Sequence, residues 1–244
     1  MNPTVIVCET PDALAERAAS DFSKLATEAL ASSRRLTVAL AGGSTPKAFF
    51  ARLTEEPFRS VVDWTKLWLF WGDERCVPPD HPDSNYGMAH RALLEKLPAP
   101  PTHVYRIHGE DPPPQAARDY EKTLRDVFGA SVDWPEFDLI LLGMGSDGHT
   151  ASLIPGTSAV QEEKRWVAEN VVRSLQTVRV TLTLPVINRA QRVWFMAAGA
   201  KKAAAFAKAQ GDPTPDCPAS LVRPAKGELR WYVDRAIISV VRDK

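Results

Sequence analysis

The chain has 244 residues, of which 44% are hydrophobic, so it is long enough to bury the core of one large domain. Its 30 basic residues balance 30 acidic residues, and no basic surface is expected that would bind nucleic acid. Cys8, Cys76 and Cys217 form no CxxC pair, which argues against a disulfide framework or a zinc site and favours a reducing compartment. Neither a secretory signal nor an apolar run near the ~20 residues that span a bilayer is evident. We therefore expect a soluble, cytoplasmic protein that binds neither nucleic acid nor membrane.

Strand-like and helix-like segments alternate along the chain, which predicts an α/β fold with a mainly parallel, Rossmann-like central sheet flanked by helices. The predicted strands are Thr4–Cys8, Leu36–Ala41, Leu67–Trp71, Val104–Ile107, Phe137–Leu142, Trp166–Asn170, Arg179–Leu184, Val193–Ala198 and Arg230–Val233. The predicted helices are Pro11 to about Ser33, Pro46–Leu53, Ser84–Leu97, Gln115–Val127 and Lys201–Ala209, with a turn or short helix at Pro185–Ala190. The proline clusters between them indicate surface loops too short to be linkers, so residues 1–244 are predicted to form one domain.

A glycine turn follows the second predicted strand. Gly42 and Gly43 expose backbone N–H groups, and Ser44 and Thr45 add hydroxyl donors. Pro46 suits the first position of a helix, whose N-terminus favours an anion. The segment lacks the spacing of a nucleotide P-loop. It is interpreted either as a phosphate-binding turn or as a plain capped turn, and the local residues do not decide between the two.

Charged side chains follow the third predicted strand and lie near later strand ends. The guanidinium of Arg75 is suited to form bidentate hydrogen bonds to a phosphate or carboxylate. Asp73 is suited to orient Arg75 or to bind a sugar hydroxyl. A surface ion pair between neighbours would explain the same residues. Further on, Arg179 and Lys201 are cations beside predicted sheet ends, and spacing alone makes Lys202 an equal candidate.

The most informative segment follows the apolar strand Phe137–Leu142. Residues 143–149 read GMGSDGH, so three glycines are interleaved with Asp147 and His149. Glycines after a buried strand allow a sharp turn, and the turn places an imidazole at the carboxyl end of the sheet, where open α/β folds bind ligands. Histidine is also suited to proton transfer near neutral pH. We interpret this segment as an active-site turn.

Two other interpretations fit the same segment. The glycines spell G-x-G-x-x-G, a dinucleotide-binding fingerprint that is weak by itself. Against it, the motif lies beyond residue 140 instead of in the first βα unit, and His149 follows the last glycine. The other alternative is a tight turn that carries a surface histidine without function.

Taken together, the motifs resemble those of the 6-phosphogluconolactonases, which share a superfamily with glucosamine-6-phosphate isomerase/deaminase. The resemblance is carried by TVALAGGSTPKAFF (37–50), WGDERCVPPDHPDSNYGMA (71–89) and LLGMGSDGHTASLIPG (141–156), and also by RVTLTLPVINRA (179–190) and VWFMAAGAKKAA (193–204). It runs essentially from end to end, and three ordered motifs with matching separations are far more specific than any one of them.

The resemblance implies hydrolysis of 6-phospho-D-glucono-1,5-lactone to 6-phosphogluconate in the oxidative pentose phosphate pathway, without metal or cofactor. By similarity, His149 is the general base that activates water, and Asp147 orients the ring or the water. The implied phosphate ligands are Gly42, Gly43, Ser44, Thr45, Arg75 and Lys201, with Arg179 as a further candidate. Asp73 is expected to bind or orient the substrate. The expected partner is therefore a small phosphosugar lactone, and the chain is expected to be a monomer or weak dimer.

Two alternative functions remain. One is the sister activity, glucosamine-6-phosphate deamination and isomerisation, in which an acid after the DGH motif assists ring opening. Here Ile154 takes the place of that acid, and an apolar side chain relays no proton, although Asp73 matches the sister enzymes' enolisation base. The other is a non-catalytic sugar-phosphate-binding module. The presence of both Asp147 and His149 favours an enzyme over such a module.

Overall fold

The computed structural model describes residues 3–31 and 35–242, in which ten strands and eight helices form. The strands are β1 (Thr4–Cys8), β2 (Leu36–Leu40), β3 (Leu67–Trp71), β4 (Asp73–Arg75), β5 (His103–Tyr105), β6 (Leu139–Gly143), β7 (Val167–Val172), β8 (Thr177–Leu182), β9 (Arg192–Ala197) and β10 (Glu228–Asp234). The helices are α1 (Pro11–Ala31), α2 (Ser44–Leu53), α3 (Phe58–Val61), α4 (Asn85–Ala92), α5 (Pro113–Phe128), α6 (Leu184–Ile187), α7 (Ala203–Ala209) and α8 (Arg235–Arg242).

The central sheet is parallel throughout, which confirms the predicted fold class. Within the described ranges it contains seven strands in the order β1-β10-β9-β6-β2-β3-β5. From β2 the chain continues to β3 and β5 on one side, whereas β6 lies on the other side of β2 and is followed there by β9 and β10. The direction of winding therefore reverses between β2 and β6. Open α/β folds bind ligands at the carboxyl ends of the strands that flank such a reversal.

The central strands are apolar on both faces, as expected for strands between helical layers. All five residues of β2 are buried, as are the first four of β6. On α1, Leu14, Ala18 and Phe22 recur at helical spacing and are almost fully buried in the core. No helix in the described part of the chain is long and apolar enough to cross a membrane.

A second, small sheet was not predicted. It consists of β4, β8 and β7 in antiparallel order, and its register sets Asp73 opposite Thr181 and Arg75 opposite Arg179. β4 has only three residues, all of them charged, so it carries none of the apolar patterning from which strands are recognised. This small sheet brings a second strand with a cation, β8, to the end of β3.

Several element boundaries differ from the predictions. The segment predicted as one helix over 84–97 is α4 followed by a 3-10 turn at Leu94–Lys96, and β5 begins and ends earlier than predicted. Helix α8 was missed because its sequence is rich in β-branched residues, which favour strands. Asp234 accepts a hydrogen bond from the Ile237 N–H at 3.1 Å and so caps α8. The predicted end of α1 at Ser33 lies outside the described residues.

Candidate active site

A cleft opens at the carboxyl ends of β2, β3, β6 and β9. It contains about 540 Å³ of free space, its mouth included. It is lined by Ala41, Gly42, Gly43, Ser44, Thr45, Pro46, Gly72, Asp73, Arg75, Asn85, Leu141, Leu142, Gly143, Met144, His149, Ala151, Arg179 and Lys202. The structure thus brings together the glycine turn after β2, the charged residues after β3 and the histidine after β6. These are the three motifs that the sequence singled out separately.

The first wall of the cleft is the N-terminus of α2. The helix begins at Ser44, and Gly43 is its N-cap with a φ of 99°, a conformation that suits glycine. No side chain among the described residues caps the helix there. The first N–H groups of an α-helix have no partner within the helix, and together with the helix dipole they form an anion site. Ser44 and Thr45 lie in this first turn, so α2 begins two residues before Pro46, the first helical position predicted from the sequence.

Two arginines face each other on the opposite wall. Arg75 on β4 and Arg179 on β8 are direct partners in the antiparallel register. Both Nε atoms are buried and have no hydrogen-bond partner in residues 3–31 and 35–242. Burial lowers the pKa of Arg179, and the neighbouring charge of Arg75 lowers it further. Like charges opposite each other in a sheet are destabilising, so this pair favours an anion between the two guanidinium groups.

A lysine completes the cationic lining, and it is not the one that the resemblance implied. Lys202 lines the cleft, whereas Lys201 is exposed and outside the lining. Burial lowers the pKa of Lys202, although the charge of Asp234 acts in the opposite direction. Both lysines lie in one 3-10 turn, Ala200–Lys202, so adjacent side chains point in different directions. Spacing in the sequence left this choice open.

His149 is held by Asp147. The imidazole Nδ1 lies 2.6 Å from Asp147 Oδ1, which also accepts the backbone N–H of His149 at 3.1 Å. Partial burial raises the pKa of Asp147, but the charge of His149 and the hydrogen bonds outweigh it and lower the pKa overall. An ionised carboxylate only accepts hydrogen bonds, so Nδ1 carries the proton. In the neutral imidazole, Nε2 is then the ring nitrogen with a free lone pair. Asp147 itself does not line the cleft.

Glycines allow this pair to fold back on the turn. The imidazole lies directly over Gly145, where a Cβ would clash with the ring, and the Gly145 N–H donates to the His149 carbonyl at 2.9 Å. Gly148 has a φ of 85°, and a Cβ there would lie 2.6 Å from Cys217 Sγ. The glycines therefore serve a close turn around His149. Residues 144–157, all of them described, contain no helix, unlike a dinucleotide fingerprint, which opens one.

Two buried carboxylates follow β3 and have different roles. Asp73 is 5% exposed and lines the cleft. Glu74 is outside the cleft lining and accepts four hydrogen bonds: from the N–H groups of Arg75 and Asn85 at 2.7 Å, from the Tyr86 N–H at 2.8 Å and from Ser84 Oγ at 3.1 Å. Burial raises the pKa of Glu74 in spite of these bonds. Glu74 thus caps the N-terminus of α4 and links it to the backbone of Arg75. The sequence did not reveal this role.

We expect Glu74→Gln to lower the free energy of unfolding by about 1–3 kcal/mol, because an amide NH₂ would replace an acceptor of the Tyr86 N–H and leave that part-buried donor unpaired. Urea unfolding followed by tryptophan fluorescence measures this change. Glu163→Gln, an exposed site on another loop, is the matched control and should shift the value by less than about 0.5 kcal/mol. Equal effects of the two variants would contradict the capping role of Glu74.

The geometry is that of an α/β enzyme with a cationic cleft beside a carboxylate-held histidine, and comparison with known proteins identifies the family. The chain belongs to the glucosamine-6-phosphate isomerase/6-phosphogluconolactonase family, whose model matches residues 9–231. The match spans all the elements that line the cleft. The resemblance inferred from the motifs is therefore confirmed at the level of the family.

Individual relatives favour the lactonase branch. The chain is 39% identical over 240 residues to 6-phosphogluconolactonase of a Synechocystis strain, covering 96% of this chain and 97% of that protein. It is 37% identical to the probable chloroplastic 6-phosphogluconolactonase 3 of rice, covering 97% of this chain and 76% of the relative. The solved 6-phosphogluconolactonase of Trypanosoma brucei superposes with a TM-score of 0.86 at 32% identity, covering 98% of this chain and 99% of that chain.

An enzyme with the sister activity shares the fold of this chain. A solved monomeric glucosamine-6-phosphate deaminase superposes with a TM-score of 0.81 at 21% identity, covering 97% of this chain and 99% of that chain. This likeness shows that the two activities share the fold. The residues in the cleft must therefore decide between them.

Proposed function

We propose that this chain hydrolyses 6-phospho-D-glucono-1,5-lactone to 6-phosphogluconate, the lactonase step of the oxidative pentose phosphate pathway. The observation that carries the proposal is a histidine held by a carboxylate in the same cleft as a cationic anion site. The histidine held by a carboxylate suits proton transfer from water. The cationic anion site suits a substrate with a phosphate remote from its reacting carbonyl. The lactonases among the chain's relatives support the same reaction.

In the proposed mechanism, His149 Nε2 removes a proton from a water molecule while the water oxygen bonds to the lactone carbonyl carbon. The carbonyl oxygen becomes an oxyanion in a tetrahedral intermediate. When the intermediate collapses, the bond between that carbon and the ring oxygen breaks, and the imidazolium returns its proton to the leaving ring oxygen. Asp147 keeps the proton on Nδ1 and stabilises the imidazolium that forms in between.

We infer that the 6-phosphate is bound between α2 and the arginine pair. The first turn of α2, with Gly42, Gly43, Ser44 and Thr45, supplies N–H and hydroxyl donors. Arg75, Arg179 and Lys202 supply positive charge. In this proposal Lys202 replaces Lys201, because Lys202 is the member of the pair that lines the cleft. Binding a remote phosphate in this way positions the carbonyl for attack.

The sister reaction is less compatible with the residues present. Its ring opening needs an acid after the DGH motif, and Ile154 at that position is 7% exposed and outside the cleft lining. A buried aliphatic side chain neither donates nor accepts a proton. A binding module without catalysis would not need the hydrogen bond between His149 and Asp147, whereas a general base does.

An assay of the wild-type chain tests the proposal. We expect hydrolysis of 6-phospho-D-glucono-1,5-lactone far faster than its spontaneous opening, followed through the released acid and compared with a protein-free blank. Glucosamine 6-phosphate should release no ammonia under the same conditions. A lactone rate equal to the blank would refute the proposed function, and ammonia release would instead support the sister enzyme.

Other predictions from the sequence stay predictions. The monomer or weak dimer expected from the sequence is one of them. Cys8, Cys76 and Cys217 are all free thiols, in keeping with a reducing compartment such as the predicted cytoplasm. The single domain over 1–244 and independence from metal and cofactor are likewise part of the proposal.

A further inference from the structure

Ser152 lies three residues after His149 and connects the active-site turn to the small sheet. It is completely buried, and each strand of the small sheet contributes one side chain to it. Its Oγ donates to Asp73 Oδ2 at 2.7 Å, its N–H donates to Thr181 Oγ1 at 3.3 Å, and its carbonyl accepts from Asn170 Nδ2 at 2.8 Å. The small sheet therefore fixes the position of the backbone just after His149.

The bond to Asp73 has a chemical consequence for the cleft. Asp73 lines the cleft, and Ser152 takes up one of its two carboxylate oxygens, Oδ2. The other oxygen, Oδ1, has no hydrogen-bond partner in the described part of the chain and is not sealed from solvent. A carboxylate fixed through one oxygen presents the other as a preoriented acceptor, and a sugar hydroxyl is the donor that suits it.

The backbone between His149 and Ser152 also depends on this anchor. Ala151 lines the cleft with a φ of 46°, a left-handed conformation that is unfavourable for residues other than glycine. Such a conformation persists only where its surroundings hold it, and Ser152 is held from three sides. Ser152 is thus linked both to the turn that carries His149 and to the carboxylate of Asp73.

We propose that Ser152 is a positioning residue that orients the Asp73 carboxylate, through its Oγ–Oδ2 hydrogen bond, toward a hydroxyl of the bound sugar phosphate. The inference rests on the proposed function in that the ligand is a polyhydroxylated sugar phosphate. It assigns recognition of the sugar hydroxyls to Asp73 and Ser152, separate from recognition of the phosphate by the arginines and Lys202. The two parts of the substrate are then recognised by side chains that can be varied independently.

Titration calorimetry with two probes, 6-phosphogluconate and inorganic phosphate, tests the proposal on the full chain. We expect Ser152→Ala to weaken 6-phosphogluconate binding about tenfold, as loss of a hydrogen bond to a charged group implies, and to change inorganic phosphate binding by less than about twofold. In an Asp73→Ala background, Ser152→Ala should add less than about a twofold further loss, since Ser152 then has no carboxylate to orient. Ser152→Cys has a weaker donor of similar size, so its affinity for 6-phosphogluconate should lie between those of wild type and Ser152→Ala.

The matched control is Thr183→Val, which removes another completely buried hydroxyl, one that donates to the Arg165 carbonyl at 2.7 Å. It should lower stability without weakening either probe. The proposal is overturned if Ser152→Ala leaves the affinity for 6-phosphogluconate unchanged or weakens phosphate binding by the same factor. It is also overturned if Ser152→Ala causes the same loss of 6-phosphogluconate affinity with and without Asp73. A wild type that binds 6-phosphogluconate but does not hydrolyse the lactone refutes the proposed reaction and still allows the coupling to be measured.

Discussion

His149→Ala is expected to lower kcat for lactone hydrolysis by about 10²- to 10⁴-fold, the range of contributions found for general acid–base groups. KM should change little, because the proposed phosphate ligands belong to other residues. Initial rates in the presence of saturating lactone, corrected for spontaneous opening, measure the effect. The expectation follows from the 2.6 Å hydrogen bond to Asp147, which leaves Nε2 as the free proton acceptor.

Two companion variants make this result interpretable. His90→Ala is the matched control, since His90 also lies beside a carboxylate, with Nδ1 3.6 Å from Glu95 Oε2, but outside the cleft lining. It should keep the wild-type rate. Asp147→Asn should lower kcat less than His149→Ala does, because the base remains but loses the charge that stabilises the imidazolium. Hydrolysis by His149→Ala as fast as by wild type would exclude His149 as the base.

The pH dependence of this pair has a definite sign. The folded-state pKa of Asp147 is lowered, so its favourable interactions are fully present above the ordinary pKa of about 3.9 for aspartate. They are lost only as the pH falls through the still lower folded-state value. Protonation of Asp147 therefore contributes nothing to a change in activity between about pH 5 and pH 8. A decline of kcat/KM across that range must come from another group.

The sequence was sufficient for the fold class and for the three motifs because these depend on local rules. Buried parallel strands read as continuous apolar runs, and glycines mark the turns at their ends. The small sheet was missed because it depends on pairing between distant segments, and β4 itself has no apolar residue. The position of Arg179 opposite Arg75 depends on that pairing, so each arginine could be proposed singly but the pair could not.

Two other features of the site could not be settled from the sequence for related reasons. Choosing Lys202 over Lys201 requires the rotation of a single 3-10 turn, which no spacing rule specifies. Ser152 is a small polar residue, and the positioning role proposed for it depends on contacts with three strands that are 18 to 79 residues away along the chain. Contacts of that range become visible only when the chain is folded.

Arg179→Ala is expected to raise KM for the lactone about 10- to 100-fold, with a smaller change in kcat. The guanidinium Nε is buried and unpaired among the described residues, and Arg75 lies directly opposite. A bound phosphate would satisfy the donors and neutralise both charges, so the variant loses charge-assisted hydrogen bonds in a partly desolvated site. Arg179→Lys keeps the charge but not the bidentate geometry, so its KM should lie between those of wild type and Arg179→Ala.

The same pair gives a test that does not require turnover. Without ligand, Arg179 repels Arg75, so removing it should leave the melting temperature unchanged or raise it, whereas a merely structural arginine would lower it. Inorganic phosphate at one fixed high concentration should raise the melting temperature of wild type more than that of Arg179→Ala, because stabilisation by a ligand grows with the logarithm of its concentration divided by its Kd. Arg118→Ala, on the exposed face of α5, is the control and should match wild type in both measurements. A variant that melts lower without ligand and gains as much from phosphate as wild type would remove Arg179 from the phosphate site.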